Sequence, residues 1–221
     1  MLNAVEALTR LREGNRRFVS DQSSTAALSN SARREALVGG QEPCAIILGC
    51  SDSRVPAELV FDQSFGDLFV IRVAGNIVAP SQVGSVEFAA SRFGTRLVVV
   101  MGHTQCGAIL ATLEQLQGRA TNQSRNLRSI VDRVRPSVET LLSGRRAQDM
   151  ESLVRDAVRA NVRASVNQLR HGSELLEKLI QETGLLVVGA EYSLETGIVD
   201  FFENVPESAQ QGVFGAAELR N

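Results

Sequence analysis

The sequence predicts an α/β fold with a mostly parallel four-stranded sheet, an added antiparallel edge strand and helices on both faces. Four short apolar runs, typical of strands buried on both faces, alternate with amphipathic helical patterns. A fifth run follows the fourth strand after a turn, as expected for an antiparallel hairpin. The 221 residues suit one domain, which we place at residues 1–205, followed by a polar C-terminal tail at 206–221.

The predicted elements follow the apolar patterns in chain order. Residues 3–18 alternate apolar and charged positions at helical spacing, which predicts an amphipathic N-terminal helix. A polar stretch at 19–42 predicts a long loop that contains a short helix at 31–38. The buried strands are predicted at 45–50, 68–74, 97–101 and 185–190, and the edge strand at 198–202. Helices are predicted between them at 84–93, 107–117, 125–142, 151–170 and 173–182.

Composition narrows the class of function. The chain has 23 basic and 25 acidic side chains and no long basic stretch, which argues against nucleic acid as a partner. No apolar run approaches the roughly 20 residues of a membrane span, and the N-terminus lacks the apolar centre of a signal peptide. We therefore expect a cytoplasmic enzyme or binding protein. Its three cysteines then favour ligands, nucleophiles or core residues over a disulfide framework.

Two of the predicted strands end in residues that can bind a metal. Cys50 follows the first strand, and His103 and Cys106 follow the third. Because ligands of open parallel sheets bind beyond the carboxyl ends of the strands, we expect these side chains to converge. Two thiolates and an imidazole suit tetrahedral Zn²⁺, and three protein ligands leave the fourth position open, as in catalytic sites. Taken singly, each residue is better explained by core packing, and a Cys50–Cys106 disulfide is a further alternative. Cys44 is interpreted as core.

Asp52 and Arg54 follow the first cysteine closely. An ionised aspartate beside a zinc ion can occupy the open position, and Arg54 can prevent this by a bidentate ion pair. Asp52 can then accept a hydrogen bond from a zinc-bound hydroxide and orient it. The alternative is an ordinary ion pair that closes a turn.

These motifs resemble those of the β-class carbonic anhydrases. Both family signatures are present, Cys-x-Asp-x-Arg from Cys50 to Arg54 and His-x-x-Cys from His103 to Cys106, and the similarity covers nearly the whole chain. The resemblance implies that the two cysteines and the histidine bind one zinc ion per subunit. It also implies a gating dyad of Asp52 and Arg54, and reversible hydration of carbon dioxide to bicarbonate and a proton.

The resemblance further assigns residues to substrate and partners. Gln41 matches a glutamine that hydrogen-bonds substrate from across a dimer interface, and Gly107 would offer a backbone N–H near the bound anion. Phe69, Ala74 and Phe88 fall where the family lines an apolar pocket for carbon dioxide, although core packing explains each one equally well. The family forms homodimers or homotetramers, with the N-terminal helix packed on a partner subunit.

Two departures from the family pattern matter. Val73 stands where many members have asparagine, so a polar contact is missing there. Some members have a second, inhibitory bicarbonate site built from Trp, Arg and Tyr; Arg72 and Tyr192 match it, but Ile47 occupies the tryptophan position. An incomplete second site favours the form in which the dyad is paired and the fourth zinc position is open.

Three other functions stay open on the sequence alone. The same site can hydrolyse another small linear molecule, such as carbon disulfide, through a narrowed entrance. A structural or zinc-storage protein without turnover is the second alternative, but structural zinc needs no gating pair. A redox role is disfavoured because the chain has no Cys-x-x-Cys motif.

Overall fold

The computed structural model describes residues 2–24, 30–119, 124–143 and 150–209. Its centre is a five-stranded sheet with the strand order β2-β1-β3-β4-β5. The strands are β1 (Ala45–Gly49), β2 (Leu68–Arg72), β3 (Leu97–His103), β4 (Leu186–Tyr192) and β5 (Val199–Glu203). The first four are parallel and β5 pairs antiparallel with β4, which confirms the predicted fold class.

Helices cover both faces of the sheet. They are α1 (Ala4–Val19), α2 (Ser31–Ala36), α3 (Ala57–Val60), α4 (Pro80–Arg92), α5 (Gly107–Leu116), α6 (Arg125–Ser143), α7 (Met150–His171) and α8 (Glu174–Thr183). Short 3-10 helices lie at Ala74–Asn76 and Glu207–Ala209. None of the helices in the described part of the chain has the length and hydropathy of a bilayer-spanning segment. The remainder of the predicted tail, 210–221, lies outside the described residues.

The alternating side chains of the strands form a core on each face. Ile47 and Val99 point to the face covered by α1 and α3, whereas Ile46 and Val98 point to the face covered by α4, α7 and α8. A third apolar cluster lies between α5, α6 and α7, and it contains both Cys50 and Cys106. The sheet is therefore buried on both faces, as its continuous apolar strands predicted.

The N-terminal helix packs on its own chain. Its apolar face, with Leu8 and Leu11, is fully buried in the core beside β1 and β3. Gly14 allows this close approach, because an added Cβ there would lie 1.8 Å from the carbonyl oxygen of Phe61. The sheet of the same chain already covers this face of the helix, and packing of another face on a partner subunit stays a prediction.

Candidate metal centre

The carboxyl ends of β1 and β3 bring three metal-ligating side chains together. Cys50 directly follows β1, His103 is the last residue of β3, and Cys106 immediately precedes α5. One ligand atom from each lies within 4.8 Å of the other two, and all three residues are buried. The convergence predicted from the strand ends is therefore present, and the three thiols of the chain are all free.

The imidazole of His103 is oriented for a metal. Its Nδ1 lies 2.9 Å from the carbonyl oxygen of Thr104, so Nδ1 carries the proton and donates to that oxygen. The opposite nitrogen, Nε2, is buried and has no hydrogen-bond partner among the described residues. A buried nitrogen with an unused lone pair is costly unless something binds it. A histidine that ligates a metal commonly has its other N–H fixed in this way, so the donor set fits a cation.

The sulfurs of Cys50 and Cys106 are hydrogen-bonded to each other, and this contact shifts their pKa values in opposite directions. The pKa of Cys50 is lowered to about 4, chiefly because the Cys106 thiol donates a hydrogen bond to it, while burial acts in the opposite direction. The pKa of Cys106 is raised by the same hydrogen bond and by burial. The N–H of Gly75 also donates to Cys50 Sγ at 3.4 Å, and the backbone N–H groups of Ala108 and Ile109 at the start of α5 lower the pKa of Cys106. These donors stabilise thiolates, which are the form that binds metals.

Asp52 and Arg54 form a bidentate pair at the edge of this cluster. Arg54 donates from Nε to Oδ1 at 2.9 Å and from Nη2 to Oδ2 at 2.8 Å, and its backbone N–H donates to Oδ1. These hydrogen bonds hold the pKa of Asp52 well below its usual range. Asp52 Oδ2 is also 3.8 Å from His103 Nε2. An ionised carboxylate therefore lies beside the unpaired imidazole nitrogen while both of its oxygens are held by arginine.

Arg72, at the end of β2, holds the loop that carries these groups. Its Nε donates to the carbonyl oxygen of Cys50 at 3.0 Å and its Nη2 to that of Asp52 at 2.6 Å. Sequence reasoning assigned Arg72 only to a partial second bicarbonate site and missed this role. The position of Arg72 could have indicated this role, because Arg72 pairs in register with Gly49, the residue before Cys50. Ile47, at the tryptophan position, is fully buried in the core.

An apolar cavity of about 280 Å³ opens at the N-terminus of α5. Its lining residues are small or aliphatic: Ala74, Gly107, Ala108, Ala111, Leu127, Ile130 and Val131. Two of the predicted substrate residues, Ala74 and Gly107, thus line one cavity. Gly107 is exposed, and an added Cβ there would meet no atom within 4 Å.

The other predicted substrate residues lie elsewhere in this chain. Phe69 and Phe88 have ring centroids 6.2 Å apart, and Phe88 is 54% exposed. Gln41 is also exposed and lines a separate depression of about 480 Å³ with Arg33 and Asp67. Gln41 precedes β1 and the metal-ligating group follows it, so the length of the strand, roughly 16 Å at about 3.3 Å per residue, separates them. Within one chain, these three residues do not meet the metal-ligating group.

Comparisons with known proteins, by family model, by sequence and by structure, all find carbonic anhydrases. Residues 45–199, which contain all three ligating side chains, match a family model described as carbonic anhydrase. The chain is 39% identical over 195 residues to carbonic anhydrase 2 of Mycobacterium tuberculosis, covering 88% of this chain and 91% of that protein. It resembles the crystal structure of the β-carbonic anhydrase CafA of Aspergillus fumigatus with a TM-score of 0.71 and 25% identity over 92% of each chain. It also resembles one of two tetrameric β-carbonic anhydrases of Sordaria macrospora with a TM-score of 0.68 and 26% identity, over 78% of this chain and 87% of the other.

Proposed function

The chain belongs to the β-carbonic anhydrase family of enzymes, and from this premise we propose that it catalyses the reversible hydration of carbon dioxide to bicarbonate and a proton. We propose that Cys50, His103 and Cys106 bind one zinc ion per subunit. The observation that carries the proposal is the buried cluster in which His103 Nε2 has its lone pair free and no partner among the described residues.

The donor set matches the chemistry that this reaction needs. Two thiolates and one imidazole are a borderline-soft set that suits zinc, and three protein ligands leave a position for substrate. When bound there, zinc would act as a Lewis acid and lower the pKa of a coordinated water molecule towards about 7. The protein contributes the orientation of His103 and the hydrogen bond from the Gly75 N–H to Cys50 Sγ.

Asp52 and Arg54 act as a gating dyad. Arg54 engages both carboxylate oxygens, which keeps Asp52 from turning to occupy the position that substrate water needs. Because Asp52 stays ionised, it is only an acceptor, and it orients the attacking water by accepting its hydrogen bond. Asp52 can therefore pair with either of two cations, the Arg54 guanidinium or the zinc ion, and the pair with Arg54 leaves the fourth zinc position open.

The cavity at the N-terminus of α5 receives carbon dioxide. Its aliphatic lining suits a small apolar substrate that makes few hydrogen bonds. The backbone N–H of Gly107 lies in the first turn of α5, where helix N–H groups have no intrahelical partner and favour anions. It stabilises the negative charge that develops as bicarbonate forms.

A second copy of the chain completes each site. Gln41 precedes β1 and Phe69 is the second residue of β2, where it contacts Phe88, so these residues lie away from the metal-ligating group at the carboxyl end of β1. We propose a homodimer or homotetramer in which Gln41 of one subunit hydrogen-bonds substrate in the site of another, and the exposed Phe88 packs in the same interface. The thiolate ligands need a reducing compartment, which supports a cytoplasmic location.

The test combines metal content with turnover. The wild-type protein should contain one zinc per chain and hydrate carbon dioxide, and Cys50→Ser should lose both properties. Cys44→Ala is the matched control: Cys44 is buried at the start of β1, away from the cluster, and should leave zinc and activity unchanged.

Two results would contradict the proposal. Stoichiometric zinc without hydration of carbon dioxide between about pH 6 and 9, where a zinc-bound water ionises, would indicate a storage or structural role. Turnover of carbon disulfide, but not of carbon dioxide, in parallel assays would retain the metal site and change the substrate.

A further inference from the structure

One buried amide on α7 contacts the turn that lies against Cys50. Asn161 is 2% exposed, and its Nδ2 donates a hydrogen bond to the carbonyl oxygen of Gly75 at 2.8 Å. Gly75 is in the 3-10 turn after β2, and its own N–H donates to Cys50 Sγ at 3.4 Å. Asn161 therefore contacts Gly75, the residue whose N–H donates to the sulfur that we assign to zinc.

The turn needs an external restraint because its central residue is a glycine in the left-handed region. Gly75 has φ 70° and ψ 20°, and glycine crosses between backbone regions more readily than any other residue. The flanking positions are held by hydrogen bonds from Val73 N to Gly49 O and from Asn76 N to Val73 O. The carbonyl and N–H of Gly75 belong to peptide groups joined at its Cα, so holding the carbonyl limits the rotation that would turn the N–H away from Cys50.

The packing of α7 explains how a short side chain reaches this turn. Gly102 on β3 leaves room for the helix, because a Cβ there would lie 2.7 Å from Val162 Cγ2 and 3.0 Å from Val158 Cγ1. Asn161 lies between these two valines in sequence, and it reaches across the end of β3 to Gly75. One turn later, Ser165 Oγ donates to the carbonyl oxygen of Asn76 at 3.2 Å.

We propose that Asn161 is a positioning residue for the metal ligand Cys50. By holding the Gly75 carbonyl, it keeps the Gly75 N–H on the sulfur, and that hydrogen bond withdraws electron density from the thiolate. A thiolate that donates less charge leaves the metal a stronger Lewis acid, and a fixed sulfur releases it more slowly. This inference rests on the zinc site proposed above.

The test uses cobalt in place of zinc, because a cobalt–thiolate bond gives a charge-transfer absorption band. Asn161→Leu has a similar volume and no donor. Its band should move to longer wavelength, since the sulfur lone pair rises in energy when it loses the N–H. Loss of the metal to a chelator should be about 10- to 100-fold faster than in wild type, the usual effect of losing a group that supports a ligand. Asn161→Ala should shift the band in the same direction, which keeps the test valid if the leucine variant folds poorly.

Ser165→Ala is the control, since it removes a donor of the same helix to the same turn without touching Gly75. Its band and its rate of metal loss should match wild type. An unshifted band in both Asn161 variants, or an equal shift in Ser165→Ala, would overturn the positioning role while leaving the metal site intact. A wild-type protein with no cobalt–thiolate band would refute the metal site itself and this inference with it. Wild-type metal binding without carbon dioxide hydration, together with the expected shift, would reject only the proposed reaction.

Discussion

The tautomer of His103 is set by a single backbone contact. Because Nδ1 donates to the carbonyl oxygen of Thr104, Nε2 must carry the lone pair, and Thr104 is itself held by a hydrogen bond from its N–H to the carbonyl oxygen of Tyr192. Leu194 N also donates to Thr104 Oγ1 at 3.0 Å. The imidazole is therefore oriented by β4 and the turn that follows it, two elements that contribute no ligand.

Replacing Arg54 with lysine tests whether the fork geometry, rather than the positive charge, restrains Asp52. Lysine keeps the charge but cannot bond both carboxylate oxygens at once. We expect Arg54→Lys to keep its zinc and to lose about 10-fold or more in the rate of carbon dioxide hydration. The exposed Arg34 on α2 provides the control, and Arg34→Lys should hydrate carbon dioxide at the wild-type rate. Wild-type activity in Arg54→Lys would argue against a gating role.

The left-handed backbone of Gly75 gives a prediction for stability. Gly75→Ala places a Cβ in a conformation that costs about 1–2 kcal/mol, and the new atom would lie 3.1 Å from the Cβ of Ala108. We expect the free energy of unfolding of the metal-free protein, measured in urea, to fall by at least that amount.

A second glycine provides the matched comparison. Gly84 lies within α4, and a Cβ there would meet no atom within 4 Å. Gly84→Ala should raise the free energy of unfolding by about 0.5–1 kcal/mol, because alanine is the better helix former. Equal destabilisation by both substitutions would show that the Gly75 conformation stores no particular strain.

The convergence of Cys50, His103 and Cys106 was predictable from the sequence, but the residues that hold them in place were not. Cys50, His103 and Cys106 carry their chemistry in their residue types, and the strand ends specify where they meet. The Arg72 guanidinium donates to the backbone carbonyls of Cys50 and Asp52, and Gly75 donates through its own backbone N–H. These contacts leave no mark in the sequence beyond a charged residue at a strand end and a glycine in a turn. Asn161 belongs to a helix whose pattern shows only which face is buried.

At the scale of elements, Asn15 connects three parts of the chain. Its Nδ2 donates to the carbonyl oxygens of Val60 and Gly197, at 3.1 and 2.8 Å, and its Oδ1 accepts from the N–H of Val199 at 2.9 Å. These bonds join α1 to the end of α3 and to the β4–β5 hairpin. The amphipathic pattern of α1 predicted its buried face, but a buried polar residue in that face indicates a specific contact that only the fold identifies.

Removing this side chain should destabilise the fold more than removing the helix cap. Asn15→Ala removes hydrogen bonds to three backbone groups, two buried and one partly buried, and we expect a loss of about 2–4 kcal/mol in the free energy of unfolding. Asn3→Ala removes only the N-cap of the same helix, whose side chain accepts from the Glu6 N–H at 2.9 Å, and should cost about 1 kcal/mol. Urea unfolding of the two variants gives the comparison, and equal losses would mean that Asn15 is no more than a local contact.

The strands and the short helix predicted at 31–38 were found, whereas the short helix Ala57–Val60 was missed, for a physical reason. Continuous β-branched runs mark β1, β3 and β4 unambiguously, because few other structures bury every side chain. The helix Ala57–Val60 is too short for any periodicity to appear, and the predicted strand 68–74 ends at Arg72 because the chain enters the 3-10 turn. Asn76 in that turn also has a positive φ, which an apolar run cannot indicate.

At the scale of the whole molecule, the two ends of β1 carry different groups. The carboxyl end carries the metal-ligating group, and the amino end carries Gln41 beside Asp67, whose Oδ1 is held by Arg10 at 3.2 Å and Arg33 at 3.3 Å. Gln41 is exposed, yet the side chains beside it are charged and held in place, which an ordinary surface loop does not require. In the proposed assembly these two ends would meet across a subunit interface, which no pattern within one chain can indicate.

Mixing two inactive variants tests this composite site directly. In a symmetric dimer, each site would take Cys50 from one chain and Gln41 from the other. Cys50→Ser and Gln41→Ala homodimers should each be nearly inactive. When the two proteins are unfolded together and refolded with zinc, half of the dimers should be mixed, and each mixed dimer contains one intact site and one doubly altered site. The mixture should therefore recover about one quarter of wild-type activity per chain if subunits pair at random through an isologous interface. A mixture that stays as inactive as its two components would mean that Gln41 serves its own chain, and an active Gln41→Ala protein would mean that Gln41 serves no site.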